Sequence, residues 1–176
     1  MFRTDDKKTR EREKLNKDHV YSRLLKLVLF IIETMSRKIY FAGSIRAGRD
    51  DADLYARLIE QLRQYGKVLT EHVGNSSVEK EEKDLSEKEI HDRDMEWLNE
   101  SDYLVAEVTQ PSLGVGYEIG RAIDLKKTVL CLFRPQTGKR LSAMIRGAEN
   151  ESTFIVKDYK ESEAPSIFKE FFKEEL

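Results

Sequence analysis

The chain has 176 residues and a mass of 20.6 kDa, with 31 basic and 33 acidic side chains, three His and one Cys. That length suits one ordinary domain, and 39% hydrophobic residues are enough to fill its core, which argues against global disorder. A formal charge of −2 gives no general attraction to nucleic acid polymers or anionic membranes, and Cys131 alone closes no internal disulfide. With no Cys/His group at zinc spacing, the composition points to a reducing compartment and a metal-free fold.

Residues 1–20 carry seven basic and five acidic side chains, with Phe2, Leu15 and Val20 as almost the only large apolar groups. Such a stretch cannot offset its ordering entropy and is predicted to be a charged arm. The run Leu24–Ile32 is apolar around a whole helix but too short to span a bilayer, and Lys26 interrupts it. A signal-peptide core is disfavoured, because the preceding segment is long and of mixed charge and no small-x-small cleavage site follows. A docked helix or an interface helix remain the two readings. Met35 precedes the first strand-like run and could serve as an internal start. The expected organisation is therefore an N-terminal extension over 1–34 and a domain over 35–176.

From Lys38 the pattern is regular. Lys38–Ala42 reads as a buried strand, Asp50–Tyr65 as a helix that Asp50 or Asp51 could cap, and Lys67–Thr70 as a second strand. Gly74–Glu89 is polar and without apolar period, so it reads as a surface loop or lid. Ile90–Asn99 follows as helix, Asp102–Val108 as strand, Gly116–Leu125 as helix and Thr128–Phe133 as strand. Phe154–Val156 and Ala164–Phe172 supply a last strand and helix. This alternation predicts an α/β fold: a three-layer, Rossmann- or flavodoxin-like domain with a five-stranded parallel sheet, plus the extension. Such sheets bind ligands at the C-terminal ends of their strands, here the loops after Phe41, Val108 and Phe133.

The first loop, Gly43-Ser44-Ile45-Arg46-Ala47-Gly48-Arg49, has the parts of a phosphate cradle. Its glycines allow close backbone approach, a helix N-terminus follows, the serine hydroxyl donates, and an arginine grips two oxygens. It lacks the Gly-Lys-Ser/Thr of a Walker loop, and a tight turn with solvent-facing arginines fits it as well. In the second loop, Ser112 and the glycines at 114 and 116 lead to Glu118, placed by this spacing in the first helical turn. There the helix dipole would favour an ionised carboxylate, the state a nucleophile needs, although a helix-start acid often does no more than complement the dipole. The glycine spacing at 114, 116 and 120 does not fit a dinucleotide fingerprint.

Acid/base chemistry needs a second carboxylate. Asp94 lies three residues before Trp97 and can share its helical face, which would desolvate the acid and prepare it to donate a proton. Asp92 and Glu96 fall on other faces. His72, at the end of the second predicted strand, points to the ligand edge, with a satisfied loop histidine as the alternative.

Tyr40–Arg46, Leu69–His72, Asp94 with Trp97-Leu98, Val105–Glu118, and Cys131–Pro135 followed by Leu141–Gly147 together resemble the 2'-deoxynucleoside 5'-phosphate N-hydrolases. These form a monophosphate-specific branch of the nucleoside 2-deoxyribosyltransferase superfamily. The resemblance spans Lys38 to about Tyr159. It implies hydrolysis of the N-glycosidic bond of a 2'-deoxynucleoside 5'-monophosphate, 5-hydroxymethyl-dUMP among the candidates, by a homodimer without cofactor or membrane, with the cytoplasm and alongside it the nucleus as the expected location. Glu118 would be the nucleophile, Asp94 the acid and then base, and Tyr40 the residue that holds Glu118. Ser44, Arg46 and Ser112 would hold the phosphate, and Ser142, in Leu141-Ser142-Ala143-Met144, would reach it from the other subunit. A deoxyribosyltransferase and a non-catalytic nucleotide-binding domain are the alternatives.

Overall fold

In the computed structural model, five short apolar runs form one all-parallel sheet: β1 (Lys38–Ala42), β2 (Lys67–Val68), β3 (Tyr103–Glu107), β4 (Thr128–Phe133) and β5 (Phe154–Asp158), in the order β2-β1-β3-β4-β5. The structure describes residues 20–25, 28–29, 32, 36–45, 51–75, 83–150 and 152–172. The chain divides into two compact units, Met1–Ser36 and Arg37–Leu176. In the first, residues 20–25 are helical, with Val20, Tyr21, Leu24 and Leu25 exposed; the charged arm through residue 19 and Met35 lie outside the described residues. No helix among the described residues is long and apolar enough to cross a membrane.

The second unit is three-layered. Helices α1 (Ala52–Leu62) and α5 (Ala164–Phe171) cover one face of the sheet, burying Leu58, Leu62 and Phe168 against Ile39, Phe41, Val105 and Leu130. Helices α2 (Glu87–Glu100) and α3 (Leu113–Asp124) cover the other, where Leu98, Val115 and Ile119 meet Tyr40, Leu104, Ala106 and Cys131. Alternate residues of each strand thus serve opposite cores, the pattern expected of a parallel sheet buried on both sides. A short helix, α4 (Ala143–Arg146), stands between β4 and β5.

Several elements begin or end where local hydrogen bonding overrides the periodic pattern. Strand β2 stops at Val68 because Thr70 bonds through its side chain: Thr70 Oγ1 accepts from the Phe41 N–H at 2.8 Å and donates to the Phe41 carbonyl at 2.7 Å. The chain then enters a 3-10 turn, Glu71–Gly74, so His72 sits in that turn rather than at a strand end. Gly74 packs so tightly on α1 that a Cβ there would come within 2.8 Å of Ala56 Cα. The stretch read as a loop to Glu89 ends three residues earlier. Ser86 and Glu89 form a capping box, with Ser86 N–H donating to Glu89 Oε2 at 2.8 Å, and α2 starts at Glu87. Residues 76–82 of that stretch lie outside the described residues. Helix α1 is shorter than its apolar period, and Asp51, its N-cap residue, makes no side-chain cap; its carboxylate is engaged elsewhere.

The largest correction concerns α3. It opens at Leu113 rather than Gly116, because Ser112 caps it by accepting the Val115 N–H at 3.4 Å. Gly114, Gly116 and Gly120 are therefore helical residues, and no acid lies in the first turn. Glu118 stands further along, where the helix dipole no longer explains its ionisation.

Candidate active site

At the C-terminal edge of the sheet, β1 and α3 bring together two groups that are 78 residues apart in sequence. The Tyr40 hydroxyl donates to Glu118 Oε1 at 2.7 Å. Tyr40 is buried beneath α3, while the glutamate is only partly buried. Burial pushes the Glu118 carboxyl up to about 7; the Tyr40 hydrogen bond opposes that rise and the Asp94 charge adds to it. The tyrosine hydroxyl is itself raised, chiefly by burial and then by the charges of Glu118 and Asp94. It is thus a fixed donor with no tendency to ionise.

Asp94, on α2, is electrostatically coupled to this pair but is not the isolated acid that its spacing from Trp97 suggests. Arg93 intervenes, donating through Nε to Asp94 Oδ1 at 3.0 Å, with Nη2 at 2.9 Å from the same oxygen. The guanidinium lies over the Trp97 ring at 4.9 Å and its Nη2 stands 3.4 Å from His72 Nε2. His72 also packs its ring against Trp97, with centroids 5.2 Å apart. Asp94 therefore shares its surroundings with a cation as well as an aromatic ring, so a desolvated, uncompensated acid is not what the structure contains. A basic residue directly before an acid on one helix carries no period, which is why Arg93 was not legible.

The end of β1 supplies Gly43, Ser44 and Ile45. Ser44 is buried and, among the described residues, its Oγ has no hydrogen-bond partner, while its backbone N–H donates to the Tyr55 hydroxyl at 3.3 Å. A buried hydroxyl without a partner is costly unless something else satisfies it, which suits a ligand-facing group. Gly43 is required here, since a Cβ would lie 2.9 Å from the Tyr55 ring. Arg46, Ala47, Gly48 and Arg49 lie outside the described residues. Ser112 faces the same edge as the α3 cap; beside it Gly114 and Gly116 leave space, a Cβ on Gly116 meeting nothing within 4 Å. Ser142, Ala143 and Met144 are exposed, Met144 by 82%, and they face solvent rather than the Tyr40–Glu118 pair.

A second polar cluster, absent from the sequence reading, lies on the other face of the sheet. Glu107, the last residue of β3, is fully buried. It accepts from Thr109 Oγ1 at 2.5 Å, Thr109 N–H at 3.2 Å, Arg134 Nε at 3.1 Å and the Tyr159 hydroxyl at 3.3 Å. Arg134 Nη2 also binds Asp51 Oδ2. Burial raises the Glu107 carboxyl, and the Thr109 and Arg134 hydrogen bonds pull it back. The one hint in the sequence was an acid at the end of an otherwise apolar strand.

A five-stranded parallel sheet with a tyrosine-held carboxylate, a second acid and an unsatisfied serine at its C-terminal edge describes an α/β enzyme equipped for glycosidic-bond chemistry. The nucleoside 2-deoxyribosyltransferase family pattern matches residues 39–153, and the chain belongs to that family. It is 56% identical over 137 residues to the 5-hydroxymethyl-dUMP N-hydrolase of Tetraodon nigroviridis, covering 77% of this chain and 96% of that one. It is 53% identical to the Homo sapiens protein of the same name, over 77% of this chain and 79% of the other. Among solved structures, the Clostridium botulinum CMP N-glycosidase BcmB shares the fold, with a TM-score of 0.53 at 17% identity over 77% of this chain and 99% of that one.

Proposed function

We propose that this protein hydrolyses the N-glycosidic bond of 2'-deoxynucleoside 5'-monophosphates, 5-hydroxymethyl-dUMP being the first substrate to test, to give the free base and 2-deoxyribose 5-phosphate. The observation that carries this reading is the 2.7 Å bond from Tyr40 to Glu118 at the ligand edge of the sheet, in a chain more than half identical, over 137 residues, to proteins named for that reaction. Glu118, ionised and oriented by Tyr40, attacks C1' while Asp94 gives a proton to the departing base nitrogen, and the C1'–N electron pair leaves with the base. Water then attacks C1' of the glutamyl intermediate, Asp94 takes its proton, and the Glu118 carboxylate is released. Because Glu118 is pushed up to about 7, a substantial fraction of the molecules carry a proton on it near neutrality. In that fraction productive binding moves the proton from Glu118 to Asp94, which brings the pair to the protonation state that the first step uses.

Ser44, Arg46 and Ser112 hold the 5'-phosphate in this reading, and a homodimer completes each site through Ser142. What supports the dimer is the surface beside the site. Leu113 is 96% exposed and Tyr117 50%, Met144 is open to solvent, and a Cβ on Gly116 or Gly120 of the same helix would meet only open space. Apolar side chains interleaved with glycines suit close packing of a second copy. A reducing cytoplasmic or nuclear setting belongs to the same proposal.

Chromatographic measurement of base release from deoxynucleoside monophosphates, ribonucleotides and free nucleosides tests it. Release confined to the deoxynucleoside monophosphates is the expected result. No release from any of them refutes the reading, and a new nucleotide formed when a second free base is added would make the protein a transferase.

A further inference from the structure

We infer that Arg134 is a positioning residue for the substrate phosphate, clamping Asp51 and Glu107 so that the loops presenting Ser44 and Ser112 keep their spacing. This rests on the hydrolase reading above and extends it to residues that never touch the reacting atoms. Glu107 faces the α1/α5 side of the sheet, along with Tyr55 and Tyr159, whereas Tyr40 faces the α2/α3 side. Arg134 is also already paired: Nε and Nη2 bind two carboxylates, and the side chains of Arg134 and Asp51 are 16% and 18% exposed. Two carboxylates on one guanidinium more than balance its charge, so the cluster as a whole offers a phosphate little attraction.

Its connections run to each loop of the site. Asp51 stands where the first loop enters α1, and on the other described side of that loop Ser44 hangs by its N–H from Tyr55, whose hydroxyl is raised by burial and by the Glu107 charge. The second loop begins at Thr109, which Glu107 grips by side chain and backbone; Thr109 Oγ1 also accepts the Arg134 N–H at 2.9 Å. Ser112 follows three residues later. Tyr159 closes the cluster, donating its N–H to the Phe133 carbonyl at 2.8 Å and its hydroxyl to Glu107. Buried ion pairs are an inefficient source of stability, since apolar residues of similar volume often serve as well. They do fix relative geometry, because no partner can shift without leaving a charge unpaired. A phosphate held by hydroxyls from two loops depends on that geometry, and an error of about 1 Å can cost a hundredfold.

The test compares Asp51→Asn, Arg134→Lys and Arg134→Met in the full chain, with thermal melts recorded alongside. Asp51→Asn keeps the Arg134–Glu107 pair and carries the test even if Arg134→Met does not fold. In folded variants KM for the monophosphate should rise by about tenfold to a hundredfold, with kcat within about threefold. Competitive inhibition by 2-deoxyribose 5-phosphate should weaken in parallel, binding of the unphosphorylated nucleoside should hold, and Arg134→Lys should restore part of the loss. A lowered melting temperature with unchanged KM and inhibition would overturn the inference and leave the cluster a structural element only. A wild type that releases no base would sink the hydrolase reading and this inference with it; an active wild type with unaffected variants sinks the inference alone.

Discussion

Glu118 and Glu107 are two glutamates at the same edge of one sheet, on opposite faces, each bonded by a tyrosine hydroxyl, yet their surroundings suit them to opposite uses. Glu107 is fully buried and surrounded by donors: a guanidinium, a threonine hydroxyl, a backbone N–H and the Tyr159 hydroxyl. Among the described residues Glu118 has the Tyr40 hydroxyl alone, one oxygen held and the carboxylate partly open, with the Asp94 charge raising it further. A carboxylate that accepts from four donors at both oxygens is a fixture, whereas one held at a single oxygen keeps reactivity available. The difference teaches that burial alone does not mark a catalytic acid. The count and charge of its donors decide.

The sharpest way to break this comparison is to neutralise each glutamate in turn. Glu118→Gln should cut base release by about 10^4-fold or more, while nucleotide binding persists and the melting temperature does not fall. Unchanged turnover would remove Glu118 from the chemistry. Glu107→Gln should act in the reverse sense: it leaves Arg134 with one carboxylate in a buried site and costs about 3 kcal/mol, roughly 10 °C in melting temperature. Calorimetry showing equal melting temperatures for the two variants would erase the distinction.

The dimer offers a smaller effect. Ser142→Ala should weaken monophosphate binding about tenfold, the low end of a charge-assisted hydrogen bond at roughly 1.5–3 kcal/mol, and leave nucleoside binding nearly as it was. Equal losses for both ligands would contradict a phosphate contact by Ser142.

Much of this contrast was legible in the residues, but unevenly. Among the described residues of the second unit, apolar period and length placed all five strands and four of the five labelled helices, and the motif around Glu118 identified the nucleophile candidate. What period cannot show is a side chain that competes with the backbone: Thr70 ending β2, Ser112 starting α3 early, Ser86 and Glu89 starting α2 inside an apparent loop. The early start of α3 also changed the electrostatic argument, because Glu118 owes its state to burial and Asp94 rather than to a helix N-terminus. The Glu107–Arg134–Asp51 cluster joins residues 27 and 83 positions apart in sequence, and no local pattern signals such a pairing.

The smallest and most specific effect concerns the proton on Glu118. If turnover needs one proton in the site and that proton leaves as Glu118 passes its value of about 7, then kcat/KM should fall as pH rises above about 7. Tyr40→Phe removes a hydrogen bond that lowers the Glu118 value, so the alkaline limb should move upward by about one pH unit, equivalent to about 1.4 kcal/mol. The proton is then held more firmly on the nucleophile, so kcat at neutral pH should drop even though the limb has shifted. Stability runs with the same proton. Glu118 ionises near 4.5 when unfolded and near 7 when folded, so the folded state binds the proton more tightly. That contribution is complete below about 4.5 and is lost as pH climbs through about 7. Glu118→Gln abolishes the term, and its melting temperature relative to wild type should therefore rise between pH 5 and pH 8. A constant difference across that range would mean that the carboxylate is already ionised at pH 5, and that Tyr40 and the open side of the site outweigh burial.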